Sequence, residues 1–432
     1  MVKEPRQAIL TPLVWTRRML DALSNGVKRG KWYSLYDKVY SMVNLEESCE
    51  RVLSNKGKPG IDCVTVSAYN SNRLHNLKNE QEQLKDYTYK PKAIRRAYIS
   101  KPGTFEKRPL GIPVVRDRIV QTALKNVIEP IFDVDFSPRS FGFRKGLGCK
   151  DALRTVMTEL RDDRMFIVDA DIKSYFDEID HDILMKLVAE KISDKQILRL
   201  IRMFLKQGVM EDMKCYDVES GSPQGAVISP LLANIFLDPL DKLLEGQGLH
   251  LIRYADDFVI MCKSQEEADN ALETVRDWMT ENKLRLHPQK TRIVDMTAIG
   301  SYFEFLGYHF ERTKRGRIRW WPRPSSLMKV KDSIRYITRR NNPHCMEAIC
   351  AQLLFRFRGW FNYFKHSNEY TFTEVDGFTR RRLRRIQMKR IRQRGTGKYL
   401  SQQKRWNNDW FKSRGYVSLY SMFEAEVQSL RS

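Results

Sequence analysis

Residues 250–262 read His250-Leu251-Ile252-Arg253-Tyr254-Ala255-Asp256-Asp257-Phe258-Val259-Ile260-Met261-Cys262. Leu251-Ile252-Arg253 and Phe258-Val259-Ile260-Met261 read as two strands, and the acids between them suit a tight turn. A lone Asp-Asp pair is most often a surface turn, so its companions decide its meaning. Met165-Phe166-Ile167-Val168 is a further short apolar run, and it ends in Asp169 and Asp171. Carboxylates at strand ends beside a core are costly to desolvate unless a cation or hydrogen bonds compensate. The two clusters stand far apart in sequence but can converge across one sheet. Three carboxylates with no associated His or Cys are hard oxygen ligands, which favour Mg²⁺. A two-metal site of that kind can activate a 3′ hydroxyl and stabilise a leaving pyrophosphate.

Composition supports a polyanionic partner. The 432 residues carry 76 Lys+Arg against 53 Asp+Glu, a formal charge of +23, and such a surplus on a folded chain points first to nucleic acid. A hydrophobic content of 42% excludes a disordered chain. The seven cysteines are irregularly spaced and form no CxxC pair, which argues against a structural zinc site and suits reduced thiols in a cytosol. No run of 18 apolar residues occurs, so no membrane span is expected. Met1-Val2-Lys3-Glu4-Pro5 lacks the apolar core of a signal peptide.

Working outward, residues 1–92 read as mainly helical, interrupted by Asn55-Lys56-Gly57-Lys58-Pro59-Gly60-Ile61-Asp62. Residues 93–113 alternate as a β-hairpin with a basic tip, Lys101 to Arg108. Helices are expected over 116–135, 181–207, 228–244 and 268–282, with a strand near 291–296. Residues 325–395 read as mostly helical and strongly basic. Between Gly377 and Asn408 there are 12 Lys/Arg and no acid, and so many like charges repel unless something neutralises them.

The motifs stand in an order that resembles the reverse transcriptases encoded by bacterial group II introns. They are Asn55-Lys56-Gly57-Lys58-Pro59-Gly60-Ile61-Asp62, Arg108-Pro109-Leu110-Gly111-Ile112-Pro113, Ser140-Phe141-Gly142-Phe143-Arg144 and Asp169-Ala170-Asp171-Ile172-Lys173-Ser174-Tyr175-Phe176-Asp177. Gly221-Ser222-Pro223-Gln224-Gly225, Tyr254-Ala255-Asp256-Asp257 and Phe305-Leu306-Gly307-Tyr308 follow. Downstream, Phe357-Arg358-Gly359-Trp360-Phe361-Asn362-Tyr363-Phe364 resembles the maturase thumb, and Lys404-Arg405-Trp406 and Ser413-Arg414-Gly415-Tyr416-Val417-Ser418-Leu419 resemble a small basic DNA-binding domain of intron proteins. Cys63 stands where the family has glycine, and Ala226 where a second glycine is common.

The resemblance implies an α+β right-hand polymerase: fingers and an antiparallel palm sheet with helices, a helical thumb and a small basic C-terminal domain. The implied boundaries are 1–92 for an N-terminal extension and the start of the fingers, 93–312 for fingers and palm, 313–372 for the thumb, and 373–432 for the C-terminal domain. It implies Asp171, Asp256 and Asp257 as the ligands of two Mg²⁺ ions, with the backbone carbonyl of Ile172 beside them, and leaves Asp169 structural. Phe176 matches the gate that packs under a deoxyribose. Lys101 and Arg108 match cations that grip the triphosphate, with Lys107 an alternative to Lys101. Gln224 and Gly225 match the block that seats the templating pair, with Tyr254 beside it, and Lys290 matches the lysine that protonates pyrophosphate.

The implied function is an RNA-directed DNA polymerase with a maturase role in retromobility, using an RNA template, intron RNA, a DNA primer or target, and deoxynucleoside triphosphates. The HNH endonuclease of many members is not found before Ser432, so second-strand cleavage is not expected. The alternatives are a domesticated or phage-defence reverse transcriptase and, from another class, a non-catalytic RNA-binding splicing factor. Intact aspartates argue against the last.

Overall fold

The runs on either side of Ala255-Asp256 pair as a hairpin, and the run before Asp171 lies along it. The computed structural model describes residues 14–27, 30–100, 107–211, 214–216, 221–222, 225–393, 397 and 399–431. It divides into two compact units, Met1–Ile293 and Val294–Ser432.

The strands before Tyr302 are β1 (Ile94–Ser100), β2 (Lys107–Ile112), β3 (Phe166–Asp171), β4 (Val209–Glu211), β5 (Lys214–Tyr216), β6 (His250–Tyr254), β7 (Asp257–Cys262) and β8 (Arg292–Asp295). One sheet has the order β2-β1-β4-β5 and a second β6-β7-β3-β8. In the second, strand parity sorts the side chains, because successive residues point to opposite faces. Val168, Ala170, Phe258, Ile260 and Leu251 share the face that joins the main core. The helices Gln265–Glu281 and Ser229–Gly246 pack against this sheet, and each large apolar side chain buried there stabilises the fold by roughly 1.5–3 kcal/mol. Asp169, Asp171, Asp257 and Tyr254 have the opposite parity. The helix Cys149–Arg161 contacts β6 and β7.

The predicted helix over 181–207 is two helices, His181–Lys191 and Lys195–Leu205. Asp194 causes the break. Its Oδ1 accepts from Gln196 N (3.0 Å) and Ile197 N (3.2 Å) as an N-cap, while Oδ2 accepts from Leu35 N (2.8 Å) and Tyr36 N (2.9 Å). Cys63 sits at φ 56°, a left-handed conformation in which glycine carries no penalty, so the departure at that position costs backbone strain.

In the second unit β9 (Tyr302–Phe305), β10 (Tyr308–Arg312) and β11 (Ile318–Pro322) form a sheet of order β11-β10-β9. Leu306 (φ 47°) and Gly307 (φ 81°) close the β9–β10 hairpin, and two positive φ values match the twist of paired strands. The basic stretch predicted over 325–395 is three helices, Pro324–Ile337, Met346–Phe364 and Glu369–Arg390, around a core that includes Phe357, Phe361, Phe372 and Leu383. Buried Asp376 accepts from Tyr416 Oη (2.8 Å), Leu419 N (3.0 Å) and Tyr420 N (2.9 Å), and so ties the start of the helix Leu419–Arg431 to this core. No described helix is long and apolar enough to cross a membrane.

Candidate active site

Two strands and one turn bring the acids together. Tyr254 pairs with Asp257 across the hairpin, which leaves Ala255-Asp256 as a two-residue turn. Ala255 takes φ 62°, so the positive value falls on the first central residue, as twisted hairpins prefer. On the other side of β7, Asp171 lies opposite Asp257. Directly opposed residues of an antiparallel pair have Cβ atoms about 4.5–5.5 Å apart, so the register sets these two carboxylates side by side. Asp169 lies opposite Val259, two residues away from the turn, and pairs with Arg292 at 3.6 Å.

Lys290 completes this edge. Its Nζ donates to Asp171 Oδ2 at 2.7 Å, with the lysine 60% and the carboxylate 33% exposed. The segment is carried there by the backbone: Lys173 N donates to Arg285 O (2.9 Å), Ile172 bridges Leu286, and His287 N donates to Asp171 O (2.7 Å). Among the described residues no three His, Cys, Asp or Glu side chains are gathered as a formed metal cluster. The chemistry of the donor set suits a hard divalent cation: two cross-strand carboxylates, a third on the β6–β7 turn next to Asp257, all partly exposed, and one already drawing a cation, Lys290, to its oxygen.

The other predicted residues fall around this edge. Phe176 follows Ser174, whose φ of 47° turns the chain away from β3, and its ring meets Tyr175 edge-on at 5.4 Å. Phe176 O accepts from Ser222 N at 2.6 Å, so Gly221-Ser222 is seated against the turn that carries the ring. Ile172 is buried. Tyr254 is half-buried beside Cys149, and burial first, then the hydrogen bond with that thiol, pushes its hydroxyl up to about 12. Gly225 (φ 111°) lies against β2: a Cβ there would come within 3.0 Å of Leu110 Cδ1 and closer still to Gly111 O. The close approach it permits in this structure is therefore to β2. Arg108 lies in β2 opposite Ile99. Lys101 and Gln224 lie outside the described residues.

Sequence reasoning missed what lies under the turn. Arg253 is fully buried and pairs with fully buried Asp241 at 2.5 Å. Burial opposes its charge most strongly, but Asp241, together with Tyr175 and Asp238 nearby, outweighs it and holds the guanidinium above the usual arginine pKa. Arg253 Nη1 donates to Asn234 Oδ1 (3.0 Å) and to Ala255 O (3.1 Å). Asn234 Nδ2 in turn donates to Gly142 O at 2.8 Å. The available signal was a charge inside an apolar strand, which calls for a buried acid elsewhere. The motif Ser140-Phe141-Gly142-Phe143-Arg144 also acquires a structural reason. Phe141 N donates to Arg253 O (2.8 Å), and Arg144 gathers its own loop through Ser137 O (2.7 Å), Ser140 O (2.9 Å) and Asp133 (2.7 Å).

The basic helix Glu369–Arg390 differs from expectation in one respect. Arg382 donates to Thr338 Oγ1 (2.6 Å) and Arg384 to Trp406 O (3.1 Å), while Lys389 donates to Asn341 Oδ1 and Arg390 to His344 O, so at least four of the 12 cations serve the fold. In the first unit the helices His181–Lys191 and Lys195–Leu205 flank a groove of about 1100 Å³ whose lining mixes Lys90, Lys186, Lys195, Arg199, Arg202 and Lys206 with Asp182 and the apolar Met185, Leu198 and Met203, which the sequence reading did not single out.

Residues 99–310 match the family model described as reverse transcriptase (RNA-dependent DNA polymerase), and residues 327–406 the one described as group II intron, maturase-specific domain. The chain is 30% identical over 335 residues to the group II intron-encoded protein LtrA of Lactococcus lactis subsp. cremoris, covering 62% of this chain and 55% of that one. It is 32% identical over 318 residues to protein YkfC of Escherichia coli K12, covering 64% of this chain and 82% of that one. The chain thus spans about half the length of the LtrA relative. Among solved structures, a partial Cas6-RT-Cas1–Cas2 complex is similar at 27% identity and a TM-score of 0.37, covering 57% of this chain and 41% of that chain.

Proposed function

The chain belongs to the family of group II intron reverse transcriptases and maturases, and on that premise we propose that it is an RNA-directed DNA polymerase that also binds a structured intron RNA. The observation that carries the catalytic reading is the register: Asp171 opposite Asp257, Asp256 on the adjoining turn, and Lys290 on Asp171. Asp171, Asp256 and Asp257, with the Ile172 carbonyl, would hold Mg²⁺ ions that supply activation of the primer 3′ hydroxyl and neutralise charge on the pyrophosphate.

The remaining work falls to the chain's own groups. The primer 3′ hydroxyl gives its proton to solvent as its oxygen attacks the α-phosphorus, the new O–P bond forms, and the bond to pyrophosphate breaks. Lys290 Nζ holds the proton that the leaving oxygen takes up. Lys101 and Arg108 bind the triphosphate by charge-assisted contacts. Phe176 underlies the sugar and leaves no room for a 2′ hydroxyl. Gln224, Gly225 and Tyr254 seat the nascent base pair. The lysines and arginines of the groove between the helices His181–Lys191 and Lys195–Leu205, and the exposed cations Arg385, Arg392 and Lys404, support phosphate contact with RNA. The chain would assist folding of the intron for splicing and copy it into DNA. In this reading 93–312 are fingers and palm, 313–372 the thumb and 373–432 the DNA-contacting part.

Primer extension on an RNA template with deoxynucleotides and Mg²⁺ tests it, beside Asp256→Ala and Asp257→Ala. cDNA from the wild type alone is expected; equal cDNA from the variants sinks the catalytic assignment. A chain that binds intron RNA and aids splicing without making cDNA would instead be a splicing factor.

A further inference from the structure

A buried ion pair is often no more than a structural feature, and replacing it with apolar residues of similar volume is often neutral. The pair Arg253–Asp241 has a geometry that asks for more. Arg253 is the last residue before Tyr254 and stands on the strand that delivers the Ala255-Asp256 turn. Its guanidinium divides its donors. Nε reaches both oxygens of Asp241 (2.8 and 3.1 Å) and Nη2 reaches Oδ2 (2.5 Å). Nη1 is left for Asn234 Oδ1 and for Ala255 O. Asp241 and Asn234 lie seven residues apart on one helix, Ser229–Gly246, and so on one face of it. The carbonyl of the strained turn residue is thereby tied, through one rigid planar fork, to a helix of the core.

The same helix holds the turn from its other side. Asn234 Nδ2 takes Gly142 O, and a Cβ on Gly142 would lie 2.9 Å from Tyr254 C and 3.0 Å from Ala255 Cα. Ala255 is thus held by a hydrogen bond to its carbonyl and by backbone packed against its amide. An alanine at φ 62° has a preference to leave that conformation, and what opposes it here is this clamp.

We infer that Arg253, oriented by Asp241 and Asn234, is a positioning residue that sets the direction in which Asp256 and Asp257 present their carboxylates. The inference rests on the polymerase reading of those aspartates. Lysine cannot replace the arginine, because one ammonium lacks the fork that spans Asp241, Asn234 and Ala255 O at once.

The test uses the full chain. The paired variant Arg253→Met with Asp241→Leu leaves no orphaned charge, and Arg253→Lys keeps the charge but not the fork. Each is checked by thermal unfolding and then assayed by primer extension for kcat and for KM of the deoxynucleotide. Hydrogen exchange of the segment 251–258, measured without substrate, reports the clamp directly. The expected result is a folded protein with faster exchange in that segment, kcat lower by about tenfold or more and KM within about threefold, the signature of lost geometry rather than lost binding. A folded variant with unchanged exchange, or with kcat within about twofold of wild type, overturns the inference. If the paired variant does not fold, Arg253→Lys decides by the same two readouts. A wild-type chain that makes no cDNA sinks the polymerase reading, whereas unchanged exchange in a folded variant sinks the clamp alone.

Discussion

Replacing Gly142 by alanine is the sharpest way to move the aspartate turn without touching an acid. The added Cβ would lie 2.9 Å from Tyr254 C, 3.0 Å from Ala255 Cα and nearer still to Ala255 N, whereas ordinary contacts begin at 3.4 Å. Relief therefore needs a movement of about half an ångström or more. Neither side yields easily. Gly142 O is held by Asn234 Nδ2 at 2.8 Å, Phe141 N by Arg253 O at 2.8 Å, and Ala255 O by Arg253 Nη1 at 3.1 Å. Catalytic groups must stay within about 0.5 Å of productive geometry, and a misplacement of about 1 Å can cost 10²-fold. We expect kcat of Gly142→Ala to fall about 10- to 100-fold and overpacking to lower stability by about 1–3 kcal/mol. Single-turnover primer extension on an RNA template reads the first, and urea unfolding the second. Gly246→Ala is the control: a Cβ there meets nothing within 4 Å, and activity should be unchanged. A folded Gly142→Ala with wild-type kcat would refute the claim that this glycine seats the turn.

Lys290→Ala should lower kcat about 10²- to 10⁴-fold if the lysine delivers the proton, with stability nearly unchanged because its pair with Asp171 is exposed. Lys290→Arg separates the roles, since a guanidinium keeps the charge but does not release a proton: recovery of activity in that variant would show that charge alone suffices. Phe176→Val should relax discrimination against ribonucleotides by about tenfold or more in competition assays, and unchanged selectivity would remove Phe176 from the sugar gate. Glu80 is fully enclosed, and desolvation raises its carboxyl from 4.5 to about 8 although Tyr69 Oη donates to it at 2.7 Å. The folded chain therefore holds a proton there that the unfolded chain loses. Stability from this group falls as pH rises from about 4.5 to about 8, by on the order of 3–5 kcal/mol. Glu80→Gln should flatten that slope in urea titrations, and an unaltered slope would count against the assignment.

Some of this was legible along the chain. The apolar runs around Tyr254-Ala255-Asp256-Asp257 and before Asp169 announce strands because β-sheet burial needs only local alternation and length. The helices over 115–133, 229–246 and 265–281 follow from apolar spacing in the same way. The break at Asp194 was missed because the cap competes with an otherwise continuous apolar pattern, and the partners Leu35 and Tyr36 that reinforce it lie about 160 residues away.

The sequence by itself determined that Asp169 and Asp171 share one face of a strand, that an acidic turn follows downstream, and that the family's motifs stand in order. Period-two alternation says that much and no more. The resemblance chose Asp171 over Asp169, but the physical reason is register between strands 86 residues apart, a property of the folded sheet: it places Asp171 at the turn and Asp169 beside Arg292. The buried partner of Arg253 was equally out of reach, because an arginine in an apolar strand demands a counter-charge without saying where it is. Only the packing of the helix Ser229–Gly246 against β6 supplies Asp241 and Asn234, and with them the clamp on the Ala255-Asp256 turn.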